Sequence, residues 1–197
     1  MINIAKYDQP WISIVDNFLT EEECAHFITQ SVSQMKKAST IAGMHHARTN
    51  SYAWLKHDHS EITQRVGDRI AQTVKMPLEN AESFQVVYYD EGEQYHYHYD
   101  AFDYNAFTEE EKTKHWDRGG QRMLTALCYL NDGYKGGETG FNQFGINVQP
   151  KKGRMIVWFN CEPRTNKRAE ISQHAGLPVT YGEKYAMNLW FRESKFT

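Results

Sequence analysis

No stretch of 18 apolar residues occurs in this chain of 197 residues, so no segment is long enough to cross a bilayer as a helix. The first residues, Met1-Ile2-Asn3-Ile4-Ala5-Lys6-Tyr7-Asp8, lack the apolar run of a secretory signal. Cysteine is scarce. Cys24, Cys128 and Cys161 are odd in number, and their spacing matches no zinc or redox motif. The expectation is buried free thiols in a reducing compartment, and with it a cytoplasmic location. Positive charge is not in excess: 22 Lys and Arg face 25 Asp and Glu, a net charge of −3. That balance offers no electrostatic footprint for nucleic acid or an anionic membrane, so neither is expected as a partner. Internal repeats and low-complexity tracts are also missing. What remains is an ordinary globular composition, 40 % hydrophobic and 24 % charged, at a length that suits one domain over 1–197. The one excess is aromatic, at 14 %, which fits strands, a ring-lined site or simply a packed core.

The first third is helical in pattern. Thr20-Glu21-Glu22-Glu23 reads as a capping box, and Cys24, Phe27, Ile28, Val32 and Met35 then recur at helical spacing. A second helix starts near Ser60, carries Ile62, Val66, Ile70 and Val74 on one stripe, and ends at Met76-Pro77. The polar stretch from Thr40 to Asn50 between them reads as a loop. From Glu82 onward the pattern changes to short aromatic and β-branched runs separated by Gly and Pro turns. Candidate strands are Ser83–Tyr89, Tyr95–Ala101, Met123–Leu130, Gly153–Phe159 and Tyr185–Arg192. Helices first and strands later imply an α+β chain, with a helical part at about 1–80 packed on an antiparallel jelly roll at about 82–193. The charged run Thr108–Lys114 interrupts the strands and reads as a short capped helix or a surface loop.

His98-Tyr99-Asp100, followed far downstream by His174, carries the chemistry. Residues two apart in an extended segment point to one face, so His98 and Asp100 can reach one metal while Tyr99 points away. Two His and one carboxylate that leave other positions open suit non-haem Fe(II). A Lys ten residues after the distal His, Lys184, could hold the far carboxylate of a 2-oxo acid. A His-x-Asp pair by itself is common on surfaces and decides nothing; the surrounding text does. His96 shares a strand face with His98 and is assigned a structural or surface role. His45, His46, His57, His59 and His115 have no ligand spacing, and surface positions are expected.

Tyr89-Asp90-Glu91-Gly92-Glu93-Gln94-Tyr95-His96-Tyr97-His98-Tyr99-Asp100 resembles the Tyr-x-x-Gly-x-x-Tyr-x-x-His-x-Asp segment of the prolyl 4-hydroxylase family of Fe(II)/2-oxoglutarate-dependent dioxygenases. Arg122 to Asn131 resembles that family's Arg-x-x-Thr-x-x-x-Tyr-Leu-Asn strand, and Gly136-Gly137-Glu138-Thr139-Gly140-Phe141 its Gly-Gly-Glu-Thr-x-Phe. Pro150-Lys151-Lys152-Gly153, Phe159-Asn160 and the block His174 to Val179 with Gly182-Glu183-Lys184 and Trp190 follow in family order. The resemblance spans roughly residues 10 to 193.

The resemblance implies a double-stranded β-helix with N-terminal helices against its major sheet. It implies Fe(II) on His98, Asp100 and His174, and 2-oxoglutarate held by Tyr89, Thr139 and Lys184, with Trp190 on the site wall. Lysyl hydroxylases and DNA-repair demethylases of the superfamily usually place Arg near this point, so Lys184 fits the prolyl branch better. Dioxygen is the second co-substrate, and ascorbate is a candidate additional cofactor. Glu82, Tyr95 and Arg122 resemble positions that line a peptide groove. Arg48-Thr49-Asn50-Ser51 resembles a stretch where a loop folds over substrate, with Asn50 departing from the usual Ser; the loop Gly43–Ser51 is expected to order on peptide binding. The implied reaction hydroxylates a peptidyl proline at C4 and releases succinate and CO2. Two alternatives stay open: an oxygenase acting on another residue or a small molecule, and a non-catalytic jelly-roll binding module.

Overall fold

A computed structural model describes residues 1–6, 9–38 and 48–197. In chain order the elements are β1 (Ile2–Lys6), β2 (Gln9–Val15), α1 (Glu21–Val32), β3 (Lys36–Lys37), β4 (Ser51–Leu55), α2 (Glu61–Val74), β5 (Phe84–Tyr89) and β6 (Tyr95–His98). There follow β7 (Arg122–Tyr129), β8 (Lys135–Gly136), β9 (Thr139–Phe141), β10 (Ile146–Val148), β11 (Met155–Phe159), β12 (His174–Gly176), β13 (Val179–Tyr181) and β14 (Lys184–Arg192). An eight-stranded sheet runs β1-β2-β11-β7-β14-β5-β4-β3, facing a four-stranded sheet β10-β9-β12-β6, with β13-β8 as a separate pair. The pairings are antiparallel. Two opposed antiparallel sheets with helices on the outer face of the larger one are the jelly-roll arrangement expected. Among the described residues no helix is long and apolar enough to cross a membrane.

The period of two along the central strands builds this arrangement. On β7, Leu124, Ala126 and Cys128 join the core beneath the helices, while Leu127 and Tyr129 join the core between the sheets. On β14, Met187, Leu189 and Phe191 face the helices, whereas Lys184, Ala186, Asn188 and Trp190 line a cavity on the other side. On β5, Phe84 and Val86 face the helices, whereas Gln85, Val87 and Tyr89 line the cavity. A one-residue slip in any of these strands would swap core for site, so burial of the helix-facing side fixes which residues reach the chemistry.

Both expected helices form. Thr20 caps α1, its hydroxyl accepting from the Glu23 N–H at 3.2 Å while the Glu23 carboxylate accepts from the Thr20 N–H at 3.0 Å. That carboxylate is buried and also takes a two-point bond from Arg69 of α2, at 2.6 and 3.1 Å, which ties the helices together. Ser60 caps α2, and Lys75 ends it in the left-handed conformation, φ 58°, ahead of Pro77. The first third departs from the helical expectation in one respect. It also contributes β1–β4, which extend the large sheet at both edges. The run after Thr108 is a capped turn, Glu109–Glu111, continued by a wider turn at Lys112–Trp116. This excursion is moored at its base, where the Phe102 N–H donates to Gln121 Oε1 at 2.7 Å and Arg192 Nε donates to the Gly120 carbonyl at 2.9 Å.

Candidate active site

His98 ends β6 and His174 begins β12, and the two strands pair so that these residues stand directly opposite each other. Asp100 lies just past β6, where the chain bends back toward the large sheet. One ligand atom from each of the three lies within 4.8 Å of the others. His98 Nε2 is 3.7 Å from Asp100 Oδ1, and His174 Nε2 is 3.5 Å from Oδ2. The other ring nitrogens are occupied: His98 Nδ1 meets the His96 carbonyl at 2.7 Å and His174 Nδ1 the Ser172 carbonyl at 2.9 Å. A carbonyl only accepts, so each Nδ1 carries a proton and each Nε2 is the nitrogen turned to the shared space.

The protonation states suit a cation. Burial, reinforced by His174, holds the His98 imidazole well below its ordinary range, so the ring is neutral at pH 7. Burial opposes the Asp100 charge, but His174, His98, Arg122 and a Thr125 hydrogen bond outweigh it and hold the carboxyl below its usual range. Aromatic rings fix both imidazoles. Tyr95 stacks on His98 at a centroid distance of 3.5 Å and an angle of 15°, and Trp158 packs on His174 at 4.6 Å. Two imidazoles and one carboxylate, aimed from one side into a cavity, match the donor set of non-haem iron.

That cavity, about 130 Å³, runs from the triad to Lys184. Lys184 is buried at 2 % exposure on β14, opposite Tyr89 of β5. Its Nζ donates to the Gly137 carbonyl at 2.7 Å and lies 4.7 Å from the Tyr89 ring centre. No carboxylate among the described residues pairs with it within 4 Å. Burial therefore depresses its pKa from 10.5 to about 7, offset only in part by the charge of Glu138. A buried ammonium without a counter-charge at the end of a cavity fits a ligand that brings its own carboxylate. Gly137 makes room for the chain of Lys184: at φ +68° a Cβ there would lie 3.1 Å from Lys184 Cδ.

The other expected site residues are close by. Tyr89 and Thr139 line the same cavity. Thr139 is bound to Tyr129, a tyrosine of the Arg122-to-Asn131 strand to which the resemblance assigns no role. Thr139 N–H donates to the Tyr129 oxygen at 3.0 Å, the two hydroxyls are 2.7 Å apart, and the Tyr129 hydroxyl reaches the Val148 carbonyl at 3.0 Å. Trp190 forms the wall, with a buried indole N–H that has no partner among the described residues. Arg122 lies 3.8 Å over the Trp190 ring. Its Nε and Nη2 donate to the two Glu82 oxygens at 2.6 and 2.8 Å, and Arg192 Nη1 donates to Glu82 at 3.0 Å. Glu82 is thus committed to two guanidinium groups, and Nη1 of Arg122 is the nitrogen left for the cavity. Tyr95 is sandwiched between His98 and the Arg48 guanidinium, 4.7 Å from its ring centre. His96 is exposed on β6 and is not among the three grouped ligand residues. Residues 43–47 of the loop Gly43–Ser51 lie outside the described residues. At its described end, Asn50 is buried and accepts from Arg48 Nε at 2.8 Å.

Residues 84–192 match the family model of the 2OG-Fe(II) oxygenase superfamily. The chain is 32 % identical over 213 residues to prolyl 4-hydroxylase 5 of Arabidopsis thaliana, covering 95 % of this chain and 70 % of that one. It is 30 % identical over 192 residues to a putative prolyl 4-hydroxylase of Acanthamoeba polyphaga mimivirus, covering 97 % and 77 %. The chain belongs to the prolyl 4-hydroxylase family. Its structure is similar to that of a viral collagen prolyl hydroxylase from Paramecium Bursaria Chlorella virus-1 in complex with 2-oxoglutarate, with a TM-score of 0.74, 27 % identity, and coverage of 94 % and 97 % of the two chains. As a member of this family the protein is an enzyme, a 2-oxoglutarate-dependent dioxygenase, and Fe(II) and 2-oxoglutarate are its cofactor and co-substrate. The donor set and the unpaired Lys184 fit both.

Proposed function

We propose that the protein hydroxylates a proline residue within a peptide or protein, at C4, and couples this to conversion of 2-oxoglutarate and dioxygen to succinate and CO2. The observation that carries the co-substrate half is Lys184, a buried amino group that pairs with no carboxylate among the described residues and lines the cavity that holds the triad. The proline half is supported by identities of 30 % and 32 % to prolyl 4-hydroxylases over nearly the whole chain. Bound to His98, Asp100 and His174, Fe(II) supplies the oxidising chemistry, with dioxygen as the oxidant and 2-oxoglutarate as the source of the remaining electrons.

The protein's own work is binding, orientation and exclusion of water. Lys184 pairs with the far carboxylate of 2-oxoglutarate, and the hydroxyls of Tyr89 and Thr139 complete its hydrogen bonding. Tyr129 assists through its single proton. When that proton is given to Thr139 Oγ1 rather than to the Val148 carbonyl, the Thr139 proton is free for the carboxylate. Trp190 closes the wall, and its free indole N–H is a donor for co-substrate or a bound water. Arg122, clamped by Glu82 and stacked on Trp190, presents Nη1 to a peptide carbonyl. Tyr95 offers its exposed edge to the target proline while its face stays on His98. The same reading takes residues 1–197 as one oxygenase domain, and the three buried free thiols support a reducing, cytoplasmic setting.

The test is coupling. With Fe(II) and 2-oxoglutarate supplied, a proline-rich peptide should raise succinate release well above the uncoupled level. The same peptide with Ala in place of each Pro should not. Equal release with both peptides would remove proline as the substrate and leave an oxygenase acting on something else.

A further inference from the structure

Behind the Asp100 carboxylate lies a chain of buried polar groups that neither the metal nor the co-substrate reading uses. Thr125, in the middle of β7, donates its hydroxyl proton to Asp100 Oδ2 at 2.6 Å. Asn160, just past β11, donates from Nδ2 to the Thr125 oxygen at 2.8 Å. Thr125 and Asn160 are fully buried. On otherwise apolar strands such residues cost stability unless they serve a purpose.

The direction of the chain is determined. A carboxylate at neutral pH only accepts, so the single Thr125 proton goes to Asp100 and the Thr125 oxygen must accept from Asn160. Reversing the Asn160 amide would set two acceptors against each other at 2.8 Å. The amide therefore keeps its present orientation although its own Oδ1 is buried with no partner among the described residues. The consequence for Asp100 is a fixed carboxylate plane. Oδ2 takes a short bond from a rigid strand and lies 3.5 Å from His174 Nε2, while Oδ1 lies 3.7 Å from His98 Nε2.

We propose that Thr125 and Asn160 are positioning residues that hold the Asp100 carboxylate in the orientation in which it can serve, with His98 and His174, as a metal ligand. Without the relay the carboxylate is free to turn about its Cβ–Cγ bond, out of register with the two imidazoles. The proposal rests on the reading of Asp100 as a metal ligand.

Metal binding tests it without turnover. Mn(II) and Co(II) are titrated into wild type, Thr125→Val, Thr125→Ser, Asn160→Leu and Asp100→Ala, with the metal-free melting temperature of each recorded. Thr125→Val keeps the side-chain shape and loses the donor. It should weaken Mn(II) binding roughly 10- to 100-fold, the range for loss of a group that orients a ligand. Thr125→Ser restores the donor and should bind close to wild type. Asn160→Leu should fall between them, and the Co(II) spectra of both Thr125→Val and Asn160→Leu should shift from wild type. Infrared difference spectra of aspartate-labelled protein with and without Mn(II) give an independent readout: the carboxylate stretches should shift from wild type in Thr125→Val and return in Thr125→Ser. Wild-type affinity with an unchanged Co(II) spectrum and unchanged carboxylate stretches in Thr125→Val overturns the proposal; should that variant not fold, the same result in Asn160→Leu does. If Asp100→Ala itself binds metal as wild type does, the metal-site reading has failed instead.

Discussion

Replacing Lys184 with Met removes the charge and nearly preserves the volume, and its effects should run in opposite directions on stability and on co-substrate binding. Burial lowers the Lys184 pKa from 10.5 to about 7. At about 1.4 kcal/mol per pKa unit, keeping the ammonium charged in the folded protein costs on the order of 5 kcal/mol. The unfolded chain holds this proton up to pH 10.5, whereas the folded chain releases it near pH 7. Between those values the unfolded state binds more protons, so the free protein should gain stability as pH rises from about 7 toward 10.5. Lys184→Met should lose that slope and be the more stable protein at pH 7 when no 2-oxoglutarate is present. Its co-substrate binding should collapse. Loss of one partner of a buried charge pair costs roughly 2–5 kcal/mol, a factor of about 30 to several thousand in affinity. Denaturant unfolding of the ligand-free proteins across pH 7–10.5 reads the stability effect, and calorimetric titration of 2-oxoglutarate into the Mn(II)-loaded protein reads the binding effect. In wild type, binding above pH 7 should take up a proton, seen as a dependence of the apparent enthalpy on the buffer, and affinity should fall toward pH 9. Unchanged affinity in Lys184→Met, or wild-type binding with no proton uptake between pH 7 and 9, would refute the pairing and move the carboxylate site elsewhere, with Arg122 the next candidate.

Other outcomes follow from the same geometry. His98→Ala, Asp100→Ala and His174→Ala should each abolish Fe(II)-dependent succinate formation while circular dichroism stays native, because the strands do not depend on the ion; near-normal decarboxylation in all three would remove the metal assignment. Zn(II) or Mn(II) should compete for the site without supporting turnover, as measured by inhibition relieved with excess Fe(II). Arg122→Ala and Tyr95→Ala should depress peptide hydroxylation far more than uncoupled decarboxylation of 2-oxoglutarate, and a parallel loss of both would place them with the co-substrate instead. Glu82→Gln leaves Arg122 and Arg192 buried without their shared counter-charge, so denaturant unfolding should show a loss of about 3–5 kcal/mol.

The legible parts of this molecule are those whose signal is local. Thr20-x-x-Glu23 and the Ser60 start mark both helices because a cap is a short-range bond. Five strands show as apolar runs because they are long enough to display a pattern. Strands β8, β9, β10, β12 and β13 have two or three residues each, too short to display a pattern; β8, β12 and β13 form by distant pairing, and β9 and β10 close a hairpin across residues 142–145. In the first third, Ile12-Ser13-Ile14-Val15 does carry a strand-like alternation, but the stronger helical stripes around it dominate the reading. The same division holds in the site. His98 and Asp100 are neighbours in sequence, and His174 and Lys184 sit in recognisable blocks. Tyr129, Thr125 and Asn160 fall within the matched blocks but carry no role there, because a polar group inside an apolar strand has meaning only once its partner is known. Their signal is present all the same: a Thr between Leu124 and Ala126 on the buried part of a strand needs a partner.

The central claim is that oxygen from this centre is placed on a proline. Proline-containing protein or peptide is incubated with the enzyme, Fe(II), 2-oxoglutarate and isotopically labelled dioxygen, and the product is sequenced by mass spectrometry. The account predicts one labelled oxygen on proline, in step with succinate and absent from Asp100→Ala. Succinate released while every proline stays unmodified, or a label found on another residue type, would contradict it.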